Sequence, residues 1–140
     1  MRPPLSDETI QMRPMSKEDI PAVCKILTST SLCEGKGLAE RLSPLGEGGA
    51  SLSLVAERSG ELVGVVLAVY NGFHVFLSHL AVVPGLQRQG VARHLHDELM
   101  QTAKRLGALG VITDSRLTTT GFFYQLGYRT PGAVFLVHQF

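Results

Sequence analysis

Cysteine is scarce in this 140-residue chain. The two present, Cys24 and Cys33, fit neither a CxxC pair nor a paired-ligand framework. A disulfide scaffold or zinc ribbon is therefore not expected, and reduced thiols in a cytoplasmic setting are the default. Charge imbalance is also lacking: 13 Lys and Arg stand against 12 Asp and Glu, a formal +1. Such a balance supplies no long-range field to gather nucleic acid or an anionic membrane surface. Long apolar runs are absent too, since the longest, from Leu62 to Val69, contains Gly64 and falls far below the ~18 residues of a spanning helix. The stretch from Met1 to Gln11 has no signal-peptide core, so neither export nor membrane insertion is expected.

What is present points to a packed globular unit. Apolar residues make up 44% and charged residues 18% of the chain, and a chain of this length suits one domain, expected over residues 1–140. One local absence carries meaning: between Glu61 and Asp97 there is no acidic residue, whereas Arg88, Arg93 and four histidines lie inside that window.

Periodicity gives the element order. Residues 9–12 read as a first strand stopped by Arg13-Pro14, and Ser16 offers an N-cap to a helix carrying Ile20, Val23, Ile26 and Leu27 on one face. From 31 to 50 the pattern dissolves into glycines and Pro44, with a short helix at 38–42 inside what reads as mobile loop. Three β-rich runs follow at 52–58, 61–71 and 73–83, separated by Ser59-Gly60 and Asn71-Gly72, the signature of an antiparallel meander. The period then changes, because Ala92, Leu95, Leu99, Ala103 and Leu106 recur every three or four residues up to Gly107. A short apolar strand at 109–113 completes a β-α-β crossover. A helix capped within 118–120 runs through Phe122, Phe123 and Leu126 to Gly127, and 133–139 alternates as a last strand.

The turn joining the third meander strand to the long helix reads Pro84-Gly85-Leu86-Gln87-Arg88-Gln89-Gly90-Val91-Ala92. First-turn amides of a helix are unpaired donors at the positive end of its dipole, so this turn suits a phosphate or diphosphate, with Arg88 as a cation at the same end. Gly85 and Gly90 have the Walker spacing, but Val91 and Ala92 stand where Lys and Ser or Thr are needed, which disfavours an NTPase. The G-x-G-x-x-G dinucleotide fingerprint is missing as well.

The hexad Gln87-Arg88-Gln89-Gly90-Val91-Ala92 resembles the [QR]-x-x-G-x-[GA] motif of the GNAT acetyltransferase superfamily. Leu80-Ala81-Val82-Val83-Pro84 before it is similar to the end of that family's fourth strand. Phe123-Tyr124-Gln125-Leu126-Gly127-Tyr128 is similar to its FYxxLGF-type segment. The resemblance implies an α/β (α+β) GNAT fold: a mixed central sheet in which a three-stranded antiparallel meander is followed by β-α-β-α-β, splayed between strands 4 and 5.

It also implies acetyl-CoA as cosubstrate, no metal, and acetyl transfer to an amine; the primary amine of a small molecule or amino acid is the acceptor expected because no added recognition domain is read in the sequence. A CoA-binding sensor and a protein or peptide N-acetyltransferase stand as alternatives. Leu80, Ala81 and Val82 would hold the pantetheine arm, assisted by Phe123 and by Thr118 or Thr120, since the family's frequent Asn is replaced by Leu117. Gln87, Arg88, Gln89, Gly90, Val91 and Ala92 would hold the diphosphate. Tyr124 matches the family's general acid. The base is open among His79, His74 and a water relay at Ser78, because Phe76 and Ser78 occupy the positions where relatives carry a carboxylate or histidine. A homodimer is expected as in many relatives, with neither nucleic acid nor membrane as partner.

Other polar residues have plainer readings. His94 and His96 sit two apart, about 200° around a helix, so they do not chelate one ion. Glu34, Glu40 and Glu47 read first as a solvated loop face.

Overall fold

The computed structural model describes residues 10–30, 37–46, 48–114 and 119–140. Five strands form one mixed sheet in the order β1-β2-β3-β4-β5: β1 Ile10–Pro14, β2 Leu54–Arg58, β3 Glu61–Tyr70, β4 His74–Val82 and β5 Gly110–Thr113. Neighbours run antiparallel up to β4, whereas β4 and β5 are parallel. Helix α1 spans Ile20–Ser29, α2 Leu38–Leu42, α3 Val91–Arg105 and α4 Thr120–Gln125. No helix among the described residues is long and apolar enough to cross a membrane.

Strand β3 is buried along most of its length because both faces of the sheet are covered, which is why its sequence is a continuous apolar run without alternation. On one face Val66, Ala68, Val75, Leu77 and Val82 pack with Val91, Leu95, Leu99 and Ala103 of α3. On the other, Val55, Val65, Leu67 and Ala81 meet Val23, Ile26 and Leu27 of α1 and Leu42 of α2. Gly64 lets α3 come close to β3: a Cβ there would lie 3.0 Å from Leu95 Cδ1, 3.2 Å from Val91 Cγ1 and 3.3 Å from the Ala81 carbonyl oxygen.

The helix ends follow local chemistry. Ser16 donates its amide to Asp19 Oδ2 at 2.8 Å, starting a short 3-10 turn at Lys17–Asp19 that leads into α1. At the far end of α3, Gly107 has φ +80°, and the Ala108 amide donates to the Ala103 carbonyl at 3.0 Å. α4 ends the same way: Gly127 has φ +98°, Tyr128 N–H donates to Phe123 O at 3.1 Å, and the two rings stack edge to face. Both are Schellman closures.

Two expectations are corrected and one is met. The first strand continues through Arg13 to Pro14, since an edge strand tolerates a terminal proline that withholds no ladder bond. The short helix expected at 38–42 is present as Leu38–Leu42, and a 3-10 turn follows at Ser43–Leu45, with Leu42 buried against α1 and β3 side chains. The expected last strand at 133–139 pairs with no strand among the described residues, and those residues are exposed. Alternation states what a segment would pair with, not whether an edge receives it.

Candidate active site

β4 is longer than its partner. β5 pairs with His74, Val75, Phe76 and Leu77 and stops, with the Thr113 hydroxyl donating to the Leu77 carbonyl at 3.0 Å. Ser78 to Val82 therefore faces a gap where, among the described residues, no strand lies alongside. This is the splay expected between strands 4 and 5.

Backbone alternation decides what the gap offers. Val83 N–H donates to Val63 O at 2.9 Å, so Val83 and, two residues back, Ala81 turn their peptide groups toward β3. Leu80 and Val82 turn theirs outward. Of the three residues expected to hold the pantetheine arm, Ala81 thus presents no backbone group to the gap, and its side chain lies in the α1-side core. Gln87 folds back and donates its side-chain amide to the Val82 carbonyl at 3.3 Å, leaving the Val82 N–H as the gap-facing donor at the strand's end.

A β-bulge re-aims the middle of β4. Leu67 opposes His79 and Ala68 opposes Leu77, so Ser78 has no partner across the ladder. Before the bulge, odd-numbered Val75 and Leu77 face α3; after it, Val82 does. His79 accordingly shares the face of Ala81 and also of His74 and Phe76. Its Nδ1 lies 2.9 Å from Ser78 Oγ, and burial lowers its pKa below the ordinary histidine value, opposed by the charge of Asp114 just past β5. Asp114 is the charge that sequence reading missed; its only signal is its place directly after the short strand. His74 is four residues back, where β5 still closes the ladder at Gly110, so it is not brought to the gap.

Beyond β4, Pro84–Leu86 forms a 3-10 turn pinned by buried Leu86. Arg88 has φ +66° and is exposed, and Gly90, φ +85°, precedes Val91 as the helix cap. No side chain caps α3. Its first carbonyl-directed bond runs from His94 N–H to Gly90 O at 3.0 Å, leaving the amides of Val91, Ala92 and Arg93 without an intrahelical acceptor. Cβ atoms built at Gly85 or Gly90 would meet nothing within 4 Å, so the space before these amides is open. Gln89 is exposed in the same turn.

On α4, Phe123 packs at the edge of the α3-side core. Tyr124 is 51% exposed, and its hydroxyl lies 2.8 Å from Thr130 Oγ1. Thr118 and Leu117 lie outside the described residues. Among the described residues no three His, Cys, Asp or Glu side chains gather as metal ligands.

Solved structures share this architecture. The aminoglycoside N-acetyltransferase AAC(6')-Iy, in complex with CoA, superposes with a TM-score of 0.77 at 17% identity, covering 94% of this chain and 95% of that one. A ribosomal-protein-alanine N-acetyltransferase from Brucella melitensis gives 0.75 at 18% identity, covering 94% and 99%. A transcriptional regulator from Bacillus halodurans gives 0.79 at 13%, covering 94% and 100%. The sequence pattern of the acetyltransferase (GNAT) domain matches residues 12–139, and the chain belongs to the GNAT family of N-acetyltransferases.

Proposed function

We propose that this protein transfers the acetyl group of acetyl-CoA to a primary amine of a small molecule or amino acid. The observation that carries the reading is the continuity of the free β4 edge, Ser78 to Val82, with the uncapped N-terminus of α3. An extended arm can pair with Leu80 and Val82 as an added strand would. A diphosphate then falls among the amides from Gln89 to Ala92, with Arg88 beside them. Acetyl-CoA use is further supported by a structural relative crystallised with CoA.

Acetyl-CoA brings the acetyl group as a thioester, and the chain's own groups do the rest. The Val82 N–H faces the gap at the point where a thioester oxygen would gain charge, and a fixed donor there lowers the barrier. His79, kept neutral by burial and held by Ser78, accepts a proton from the entering amine. Tyr124 supplies a proton to the departing sulfur, and Thr130 orients its hydroxyl. The new C–N bond thus replaces the C–S bond and free thiol is released.

Titration calorimetry with CoA and a thiol-release assay across an amine panel test this reading. Saturable CoA binding, weakened about tenfold in Arg88→Ala as expected for one lost charge-assisted contact, together with amine-dependent thiol release, is the expected result. Absence of CoA binding would overturn it. The engagement of the Tyr124 hydroxyl by Thr130 favours one second reading, a CoA-binding sensor, for which binding would persist with no amine accelerating release.

A further inference from the structure

The acceptor's route to the thioester is limited by what the sheet already covers. A cofactor arm paired along Val82 and Leu80 ends at the bulge, where β5 closes the ladder at Leu77. On the α3 side of that point Val75 is fully buried and Leu77 is 1% exposed, both packed with Leu95 and Leu99. An amine therefore reaches His79 from the opposite face, where the core under α1 and α2 takes in Val65, Leu67 and Ala81.

Beside that core the same face carries three apolar side chains that belong to neither cluster. Pairing sets Val69 opposite Phe76 and Phe76 opposite Ile112, so one row crosses β3, β4 and β5. Alternation puts all three on this face: Val65 and Leu67 precede Val69 on it, Val75 and Leu77 flank Phe76 from the other side, and Val111 before Ile112 packs toward α3. Val69 is 37% and Ile112 49% exposed, with Phe76 half-buried between them. Neighbouring strands stand about 4.8 Å apart, so the row is roughly 10 Å wide. β4 and β5 carry no Asp, Glu, Lys or Arg. Asp114 follows directly after β5, exposed, and its charge is felt at His79.

We infer, building on the acetyl transfer proposed above, that this row seats the acceptor and that the acceptor is a primary monoamine on a hydrocarbon body, its nitrogen at His79 and its carbon skeleton across Phe76 between Val69 and Ile112. Exposed apolar surface gains free energy only from a ligand that takes it out of water. A polyhydroxylated or polycationic body laid on the row would give up water for side chains that accept no hydrogen bond and carry no charge. One ammonium meets the Asp114 carboxylate as it arrives, whereas a second charge along the body would lie on hydrocarbon. Phe76, which cannot act as a base, is thereby the floor of the acceptor site.

Thiol release is followed with acetyl-CoA and ethylamine, butylamine, hexylamine or 2-phenylethylamine, and with 2-(2-aminoethoxy)ethanol, which matches hexylamine in length but carries oxygens in place of carbons. With rates referred to the neutral amine, kcat/KM is expected to climb up to about fourfold per methylene, the transfer of one CH2 from water. The oxygenated analogue is expected to be about tenfold or more poorer than hexylamine. Ile112→Ser and Val69→Ser, both at exposed positions, are expected to flatten the climb while CoA affinity by titration calorimetry is kept. Line broadening of the hexylamine NMR signals, with the protein alone and loaded with CoA, makes the same comparison without turnover. Chain-length-dependent binding that is lost in Ile112→Ser, with no thiol release from any amine, would support the apolar seat and overturn acetyl transfer. A flat series in the wild type, an oxygenated analogue as good as hexylamine, or a climb that survives both serines would overturn the inference while acetyl transfer stands. Neither release nor binding with any amine would overturn both.

Discussion

The site's chemistry turns on single side chains whose protonation is set by their surroundings. Burial of His79 disfavours its charged form, so the imidazole is a ready base at pH values where an exposed histidine would be partly protonated. The acidic limb of the rate profile is therefore expected to lie below the ordinary histidine pKa of ~6.5. His79→Ala should abolish that limb and lower kcat/KM by roughly 10²-fold, measured from pH 5 to 9 at subsaturating amine. An unchanged profile would remove His79 from the mechanism and favour the relay at Ser78. Tyr124 differs, because its exposed hydroxyl makes its bond to Thr130 without closing a core. Tyr124→Phe should keep CoA affinity within about twofold while kcat falls about 10²-fold; a kcat equal to wild type would leave Tyr124 a surface residue.

Between elements, a few close contacts decide whether the scaffold presents that chemistry. A methyl at Gly64 would press on Val91, whose branched side chain starts α3, and on a β4 carbonyl that is backbone. Gly64→Ala should cost about 1–3 kcal/mol by urea denaturation and should also weaken CoA binding, since the displaced part is the helix turn carrying the donor amides. Across the sheet, Arg13 grips Asp19 with both nitrogens, at 2.7 and 2.8 Å, and reaches Glu57 at 3.4 Å. Asp19 is 5% exposed, so Asp19→Asn strands the guanidinium at the joint of β1, β2 and α1. The expected loss, about 2–3 kcal/mol, is discounted from the cost of breaking a fully buried pair because Arg13 is partly solvated. Neither contact was legible in the sequence, since each joins residues dozens of positions apart or an element to a turn. The meander, α3 and the crossover strand were legible, because their patterns are local and their turns carry Gly and Asn. A bulge near Leu80 that re-aims His79 is compatible with the sequence, but its place at Ser78 is a property of pairing and was not legible there. The loop before α3 was readable from its glycines, whereas the inward turn of Ala81 followed only from register.

For the whole molecule, the three groups with resolved shifts that bear on acid stability act in separate pH windows. His79 and His96 both have lowered values, burial being the leading cause, and His96 is 2% exposed, its Nδ1 3.6 Å from Asp97 Oδ1, whose charge opposes the shift. Each binds its proton less readily folded than unfolded, so as pH falls below about 6.5 the unfolded chain takes up protons first and stability declines until the folded values are passed. Asp19 is also lowered, chiefly by the Arg13 hydrogen bonds. Its contribution is complete above the unfolded carboxylate value of ~3.9 and is lost as pH falls through its folded value. Urea midpoints are therefore expected to drop in two steps, one beginning near 6.5 and one below about 4. His96→Gln should shrink the first step and leave the second; Asp19→Asn should do the reverse. Since His96 holds Tyr128, whose phenol burial pushes up to about 12 and keeps protonated throughout, the first step should coincide with loosening of the segment beyond α4. Faster amide exchange in residues 126–130 at pH 5 than at pH 7, after correction for intrinsic rates, would show that coupling; exchange unchanged while the midpoint falls would assign the histidine effect to His79 alone.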